Sequence, residues 1–316
     1  MKILFIGLGS IGLRHARLLN KMTGHELFAL KREGSNYSNV TEFPVTILES
    51  WEDVIYNRPD VAFITNPTSI HISTALHCAQ IGCKLFVEKP LGHQVDGLDA
   101  LCNYINSNRI VSYVAYNLRF HPVIEKLKEV MNNGTFLHMS VQCSSFLPSW
   151  RPGVDVKTSY SSHTNQGGGV VLDLSHEIDY TEYLLGTVNN IVGGFSRRSD
   201  LTVDSEDWAD MLLSCKKGPA SIHVNFFSQI NQRTIVIDCK EFSIRADLIN
   251  NTLQEFVGGS EVNRHEFDCP RDYTYERQLE YFFNNIDNEN MMNNIPAASE
   301  TLKKILFFKE NQQFYG

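Results

Sequence analysis

The chain has 316 residues, 42% hydrophobic and 20% charged, ordinary globular usage that excludes a collagen-like fibre, a disordered tail and a small disulfide-stapled scaffold. At about 150 residues per domain the length predicts two domains. Twenty-eight Lys and Arg against 36 Asp and Glu leave a formal net charge of -8, which argues against a general binder of nucleic acid or anionic membranes.

Residues 2–6 (KILFI) form a continuous apolar run, the pattern of a strand buried on both faces. Gly7-Leu8-Gly9-Ser10-Ile11-Gly12 follows, then a helical pattern to about Met22. One cation ahead of an apolar stretch resembles a short signal peptide, but Arg14, His15 and Arg17 stand where small residues should allow cleavage. A strand turning into a helix is the better reading. Further strands are predicted at 26–30, 61–65, 85–87 and 111–115. Ser50 is the predicted N-cap of a helix from Trp51. Ile72, Ala75, Leu76 and Ala79 share a helical face, with Gly82 at the C-cap. This alternation predicts βαβ units and a parallel sheet.

After about Arg119 the rhythm changes. A helix at about 121–132 precedes extended runs at 136–146, 188–197, 208–215, 220–228, 233–240 and 242–247. Short turns such as Lys217-Gly218-Pro219 separate several of them, which predicts an antiparallel sheet. Helices are predicted at 170–185, 275–286 and 297–311. The expected domains are therefore residues 1–118, binding a dinucleotide, and 119–316, binding substrate. No apolar run approaches the roughly 20 residues of a membrane span.

Seven scattered cysteines without a C-x-x-C pair make a zinc site or disulfide framework unexpected and suit reduced thiols in a cytoplasm. The histidines and Asp204-Ser205-Glu206-Asp207 lack metal-ligand spacing, so no metal is predicted, and His15, His163 and His223 are assigned no role.

Gly7, Gly9 and Gly12 make the G-x-G-x-x-G fingerprint, directly after a buried strand and opening a helix. That context predicts a dinucleotide whose pyrophosphate lies on the helix N-terminus. An NAD site usually has an acid at the end of the second strand. Here Lys31 and Arg32 stand there, which favours NADP over NAD because cations suit a 2′-phosphate. The next informative site is Glu88-Lys89-Pro90, at the end of a predicted parallel strand, where ligands bind in open α/β sheets.

In these motifs the chain resembles the Gfo/Idh/MocA oxidoreductases, named after glucose–fructose oxidoreductase and inositol dehydrogenase. The resemblance runs over nearly the whole chain. It rests on the glycine-rich turn, Thr65-Asn66-Pro67 with His71, Glu88-Lys89-Pro90, Asn117-Leu118-Arg119-Phe120, and Gly167-Gly168-Gly169 leading into Asp173-Leu174-Ser175-His176-Glu177-Ile178-Asp179. It implies an N-terminal Rossmann domain with a doubly wound parallel sheet. It also implies a C-terminal α/β domain with an open, mainly antiparallel sheet that commonly forms homo-oligomers. Implied cofactor contacts are Ser10, Ile11, Asn66, Pro67, His71, Glu88, Lys89 and Asn117 beside the glycines. Lys89 is implied to lie beside the nicotinamide and touch the substrate hydroxyl, with a cis peptide often preceding the proline matching Pro90, and Arg119 is an implied substrate contact.

On the predicted 170–185 helix, Leu174, Ile178 and Leu185 share one face, while Asp173, His176 and Tyr180 share another, which is expected to look into a cleft. The family often places its aspartate four residues before the histidine; Asp173 is three before His176. The expected reaction is hydride transfer between nicotinamide and a secondary alcohol or ketone of a sugar, cyclitol or sugar derivative. His176 is the expected base, since histidine titrates near pH ~6.5. Lys89 orients and polarises and Asp173 aligns one of them. A lysine base is the close variant, requiring a value well below lysine's usual ~10.4. Arg151 and Tyr160, on the loop before the triple glycine, are candidate substrate contacts. Two other classes stay open: a redox-neutral NAD-dependent glycoside hydrolase, and a dinucleotide sensor without turnover.

Overall fold

A computed structural model of the chain describes residues 1–22, 24–31, 43–150, 153 and 155–311. The chain divides into two compact units: Met1–Tyr116 with Gln278–Leu302, and Asn117–Arg277 with Lys303–Gly316.

The first unit is built in chain order from β1 (Lys2–Ile6), α1 (Ser10–Lys21), β2 (Glu26–Leu30), β3 (Thr46–Leu48), α2 (Trp51–Asn57), β4 (Val61–Ile64), α3 (His71–Gln80), β5 (Lys84–Glu88), α4 (Leu98–Asn108) and β6 (Ser112–Ala115). Among the described residues the strands form one parallel sheet in the order β3-β2-β1-β4-β5-β6. The order reverses beside β1, so the carboxyl ends of β1 and β4 flank the crevice where open α/β sheets take ligands. The strands are buried on both faces, as their unbroken apolar runs require: Ile3, Leu4, Phe5, Phe63 and Phe86 are fully buried. Phe63 and Phe86 stack with ring centroids 4.3 Å apart.

Local signals place two of the helices. Ser50 accepts from the Asp53 N–H at 3.2 Å while the Asp53 carboxylate accepts from the Ser50 N–H at 3.0 Å, a capping box that starts α2. The Gly82 N–H bonds to the Ala79 carbonyl and closes α3. The strand β3 has only three residues, too few for a period to register, whereas α4 was passed over although Leu98, Leu101 and Ile105 recur at helical spacing and are buried.

The sequence grouped residues 278–302 with the second domain, yet they pack in the first unit. Two observations explain their place. Phe282 is fully buried with its ring edge against Phe86. Asn293 takes both backbone groups of Val114 on the edge strand β6, its carbonyl accepting from the Val114 N–H at 2.9 Å and its side-chain amide donating to the Val114 carbonyl at 2.7 Å. An edge strand needs such partners, and no local pattern reveals them.

The second unit comprises α5 (Pro122–Val130), β7 (Phe136–Phe146), α6 (Val170–Asp173), α7 (His176–Leu185), β8 (Val188–Ser196), β9 (Trp208–Cys215), β10 (Gly218–Asn225), β11 (Phe227–Cys239), β12 (Ser243–Asp247), β13 (Thr252–Val257) and β14 (Ser260–Glu266). The helices α8 (Tyr273–Asn284) and α9 (Ile295–Asn311) each contain a boundary between the two units. The strands run in the order β14-β13-β12-β11-β7-β10-β9-β8, antiparallel throughout apart from the parallel pair β7/β10. Strict alternation in β9 buries Ala209, Met211, Leu213 and Cys215 on one face and exposes Leu212 on the other. β13 and β14 were missed in the sequence because β14 is exposed along almost its whole length and carries no hydrophobic period.

A titratable cap makes this unit sensitive to acid. His121 is buried, and its Nδ1 accepts the Val123 N–H at 3.3 Å as the N-cap of α5. Burial, aided by the charge of Arg233, pushes the ring down to about 4. Its value in the unfolded chain is near ~6.5, so below that pH the unfolded state binds a proton that the folded state refuses. Stability is therefore expected to fall as pH drops from ~6.5 to ~4, by up to about 3 kcal/mol from this group. Urea unfolding across that window checks it. The His121→Asn variant, which keeps a capping oxygen but does not titrate, should show a flatter dependence.

Candidate functional site

The glycine-rich turn is shaped by its neighbours. Gly7 has φ +105°, and a Cβ there would lie 2.8 Å from the Asn66 nitrogen. This left-handed backbone and close approach both demand glycine. A Cβ on Gly12 would collide with the Gly7 carbonyl oxygen. A Cβ on Gly9 would meet nothing within 4 Å. Gly9 is the N-cap of α1, and neither a side-chain cap nor an acidic residue serves the first turn. The free N–H groups and open space above them form a cradle suited to a phosphate. A dinucleotide fits these residues. Gly9→Ala is expected to preserve folding, because its φ of -73° is open to alanine, while lowering dinucleotide affinity at least tenfold by filling the approach to the backbone. Thermal unfolding and NADH fluorescence titration measure the two effects.

Thr65 Oγ1 donates to the Gly7 carbonyl at 2.5 Å, tying the end of β4 to the turn. The Asn66 side chain donates to Thr74 Oγ1 at 2.9 Å, and Pro67 precedes the short helical turn leading into α3. His71, at the start of α3, lies 2.8 Å from the Asn66 carbonyl through Nε2 and 2.9 Å from the Pro90 carbonyl through Nδ1. Burial lowers the affinity of its ring for a proton, against the pull of the two carbonyls and Glu88. The neutral ring has a single N–H, so it donates to one carbonyl and faces the other with a lone pair.

Lys31 lies at the end of β2, where the sequence favoured a 2′-phosphate contact. Its Nζ bonds to Glu49 Oε2 at 2.7 Å, in a pair whose side chains are 44% and 65% exposed. An acid therefore does stand near this edge, delivered by the end of β3 and invisible to a rule that looks only along β2. Arg32, the other cation of that expectation, lies outside the described residues.

Lys89 is partly exposed between buried neighbours at the end of β5, and its bond to Pro90 is cis. Glu88 Oε2 accepts the Lys89 N–H at 3.2 Å, while Glu88 Oε1 accepts from His15 Nε2 at 2.7 Å. His15 was assigned no role from the sequence. The signal that could have found it is its position on the inner face of α1, where a polar residue must have a buried partner.

In the second unit the triple glycine is again dictated by packing. A Cβ on Gly168 would strike the Tyr160 carbonyl oxygen. Gly169, at φ +115°, lies against the Glu206 carboxylate. That carboxylate also accepts from Lys309 Nζ at 2.6 Å, and the Glu206 carbonyl accepts the Val170 N–H at 2.9 Å. The start of α6 is thus anchored before Asp173 is reached.

The single helix expected over 170–185 is two helices. Leu174 (φ -97°, ψ 28°) leaves the helical geometry between α6 and α7, and Ser175 then serves as the N-cap of α7. Asp173 closes the first, buried, and His176 opens the second, partly exposed between buried Ser175 and Glu177. The expected face of Asp173, His176 and Tyr180 is therefore not continuous. Tyr180 is fully buried, 3.5 Å from Glu177 Oε1, and does not look into a cleft. Glu177 is itself fully buried and accepts from Arg233 Nε at 2.8 Å. That pair ties the first turn of α7 to β11, so it holds His176 through its neighbour. Burial, joined by the Glu177 carboxylate and opposed by Arg233, pushes the Cys143 thiol up to about 12.

Arg119, the implied substrate contact, is held by Asp179: Nε donates to Oδ2 at 2.9 Å and Nη2 to Oδ1 at 2.7 Å, with both side chains buried. Asn117, the implied cofactor contact, donates to Thr274 Oγ1 at 2.7 Å. Tyr160 lines a small depression with Leu147, Trp150 and Val156. Arg151 lies outside the described residues. No group of three or more His, Cys, Asp or Glu able to hold a metal occurs among the described residues, and no described helix is long and apolar enough to cross a membrane.

A Rossmann sheet with a phosphate cradle at its switch point defines a dinucleotide-binding protein, and comparison with known sequences says which kind. Residues 1–116 match the oxidoreductase family with an NAD-binding Rossmann fold, and residues 124–245 match the GFO/IDH/MocA C-terminal domain. The chain belongs to this family. Among its relatives, myo-inositol 2-dehydrogenase of Thermotoga maritima is 25% identical over 191 residues, covering 59% of this chain and 55% of the relative. The chain spans about half the length of several curated relatives it matches. Among solved structures, levoglucosan dehydrogenase in complex with NADH superposes with a TM-score of 0.84 at 16% identity, covering 99% of this chain and 98% of that one. UDP-N-acetylglucosamine 3-dehydrogenase from Acidithiobacillus ferrooxidans gives 0.81 at 20% identity, covering 99% and 97%. These likenesses show that the fold is shared.

Proposed function

We propose that the chain is a nicotinamide-dependent oxidoreductase that moves a hydride between the cofactor and a secondary alcohol or ketone carbon of a sugar, cyclitol or sugar derivative. The observation that carries this reading is Lys89. It is a partly exposed cation at the carboxyl edge of a Rossmann sheet, with the carboxylate before it and the carbonyl after it each in contact with a histidine. Names of relatives that act on inositol and on levoglucosan support the substrate class.

When bound, the nicotinamide supplies the hydride acceptor or donor. Lys89 directs its ammonium group at the substrate oxygen and polarises it. In the oxidation direction an imidazole nitrogen of His176 takes the hydroxyl proton, and it returns that proton in reduction. Asp173, buried three residues before His176, aligns one of these two groups. Lys31 offers a cation to a 2′-phosphate and Glu49 offsets it, so NADP and NAD are both admitted at this edge. The reading includes a homo-oligomer formed through the second unit's sheet, supported by Val192 and Leu212, register partners that are both exposed.

A panel of polyols, inositols and sugars, followed at the reduced-nicotinamide absorbance with NAD and NADP in parallel, tests the proposal. Substrate-dependent reduction that His176→Asn suppresses is the expected result. Tight NADH binding with no absorbance change on any member of the panel, in either direction, overturns it.

A further inference from the structure

We propose that His15 is a positioning residue for Lys89, acting through Glu88 and joining the dinucleotide-binding helix to the lysine turn. The role assigned to Lys89 rests on the functional reading above; the contacts do not.

Both carboxylate oxygens of Glu88 are engaged. One carboxylate oxygen accepts from His15 Nε2 at 2.7 Å and the other accepts the Lys89 backbone N–H at 3.2 Å. Glu88 is 8% exposed and His15 is 0% exposed. The imidazole sits in an aromatic socket, edge-on to Phe86 with centroids 5.1 Å apart and tilted on Phe63 at 5.7 Å. That socket would accept an apolar side chain of similar volume, and replacing a buried ionic pair by apolar groups is often neutral or stabilising. Core stability alone therefore does not call for a histidine here. A requirement for Glu88 in one fixed rotamer does, because an unheld buried carboxylate turns or takes up a proton.

The consequence falls on Lys89. Its N–H is held by Glu88, and the carbonyl of the following residue, Pro90, contacts His71 at the start of α3. Histidines from two different helices thus bracket the lysine, and its Cα–Cβ direction follows from both. His15 lies on α1, the helix whose N-terminal turn is the phosphate cradle. One hydrogen bond therefore sets the lysine's position relative to that helix. The titratable groups that act on His71 are Glu88 and His93.

The test reads Lys89 directly. The full chain is treated briefly with limiting trinitrobenzenesulfonate, and modification at each lysine is quantified by peptide mass spectrometry. In His15→Leu the rate at Lys89 relative to the other lysines should change severalfold. In His15→Gln, which restores an N–H donor toward Glu88, it should return close to wild type. Glu88→Gln, which keeps side-chain volume but has one acceptor oxygen instead of two, should shift the rate in the same sense as His15→Leu and covers the case in which the leucine variant does not fold. On the best substrate of the panel, kcat of His15→Leu should fall about tenfold or more with KM for the dinucleotide unchanged, as expected when a reacting group is misplaced. Unchanged labelling at Lys89 in a folded His15→Leu or Glu88→Gln protein overturns the proposal. If the wild type is inactive on every substrate but its labelling responds as described, the functional reading falls and the positioning role stands.

Discussion

Replacing Lys89 by Met is expected to lower turnover about 10³-fold while dinucleotide affinity stays near that of wild type. Methionine keeps the unbranched stem and removes the charge. The backbone contacts that orient residue 89 belong to Glu88 and to the Pro90–His71 pair, and the substitution touches neither. The cradle at Gly7 to Gly12 is likewise independent of the Lys89 side chain. Loss of the polarising cation should therefore appear in kcat, with KM for the cofactor unaltered. Steady-state kinetics on the best substrate of the panel, beside an NADH fluorescence titration, separate the two. A variant that keeps wild-type turnover removes Lys89 from the chemistry. One that loses turnover and NADH binding together makes Lys89 part of the cofactor seat instead.

Replacing Arg119 by Met is expected to destabilise the second unit by about 3–5 kcal/mol, because it leaves the Asp179 carboxylate buried without its two guanidinium hydrogen bonds. Burial already pushes Asp179 above its usual carboxylate range, and Arg119 is the main group pulling it down. Without the arginine the carboxyl must rise further. A group whose folded value is raised favours the fold below its unfolded value and loses that contribution as pH increases. The loss in Arg119→Met should thus shrink on moving about two units below neutral, as Asp179 takes up a proton. Arg119→Met with Asp179→Leu should recover most of the stability at neutral pH, since removing both charges also removes the desolvation cost. Urea unfolding of the two variants at both pH values measures this. A single variant as stable as wild type, or a double variant no better than the single, contradicts the account.

The sequence carried the parts of the site that obey a local rule. Gly7, Gly9 and Gly12 are readable because a tight turn, an open backbone and a helix packed on a strand each leave a glycine at a fixed offset. Glu88-Lys89-Pro90 was readable because a buried strand points its end at the ligand edge. The sequence was silent where a residue's partner lies far along the chain. His15 and Glu88 are 73 residues apart, and Arg119 and Asp179 are 60 apart. No period or cap connects either pair. The first was therefore overlooked, and the buried carboxylate that holds the arginine was not foreseen.

Helical periodicity likewise carried residues 170–185 as one helix, since it does not register a two-residue break. The break at Leu174–Ser175 ends one helix at Asp173 and begins another at His176. What the sequence determined alone was the class of fold and the dinucleotide fingerprint, because these follow from short-range sterics and hydrophobic period. The tertiary structure decided which charges are neutralised at home, where the second sheet ends and which segment closes the first. Those outcomes depend on burial and on hydrogen-bond partners brought together only by folding.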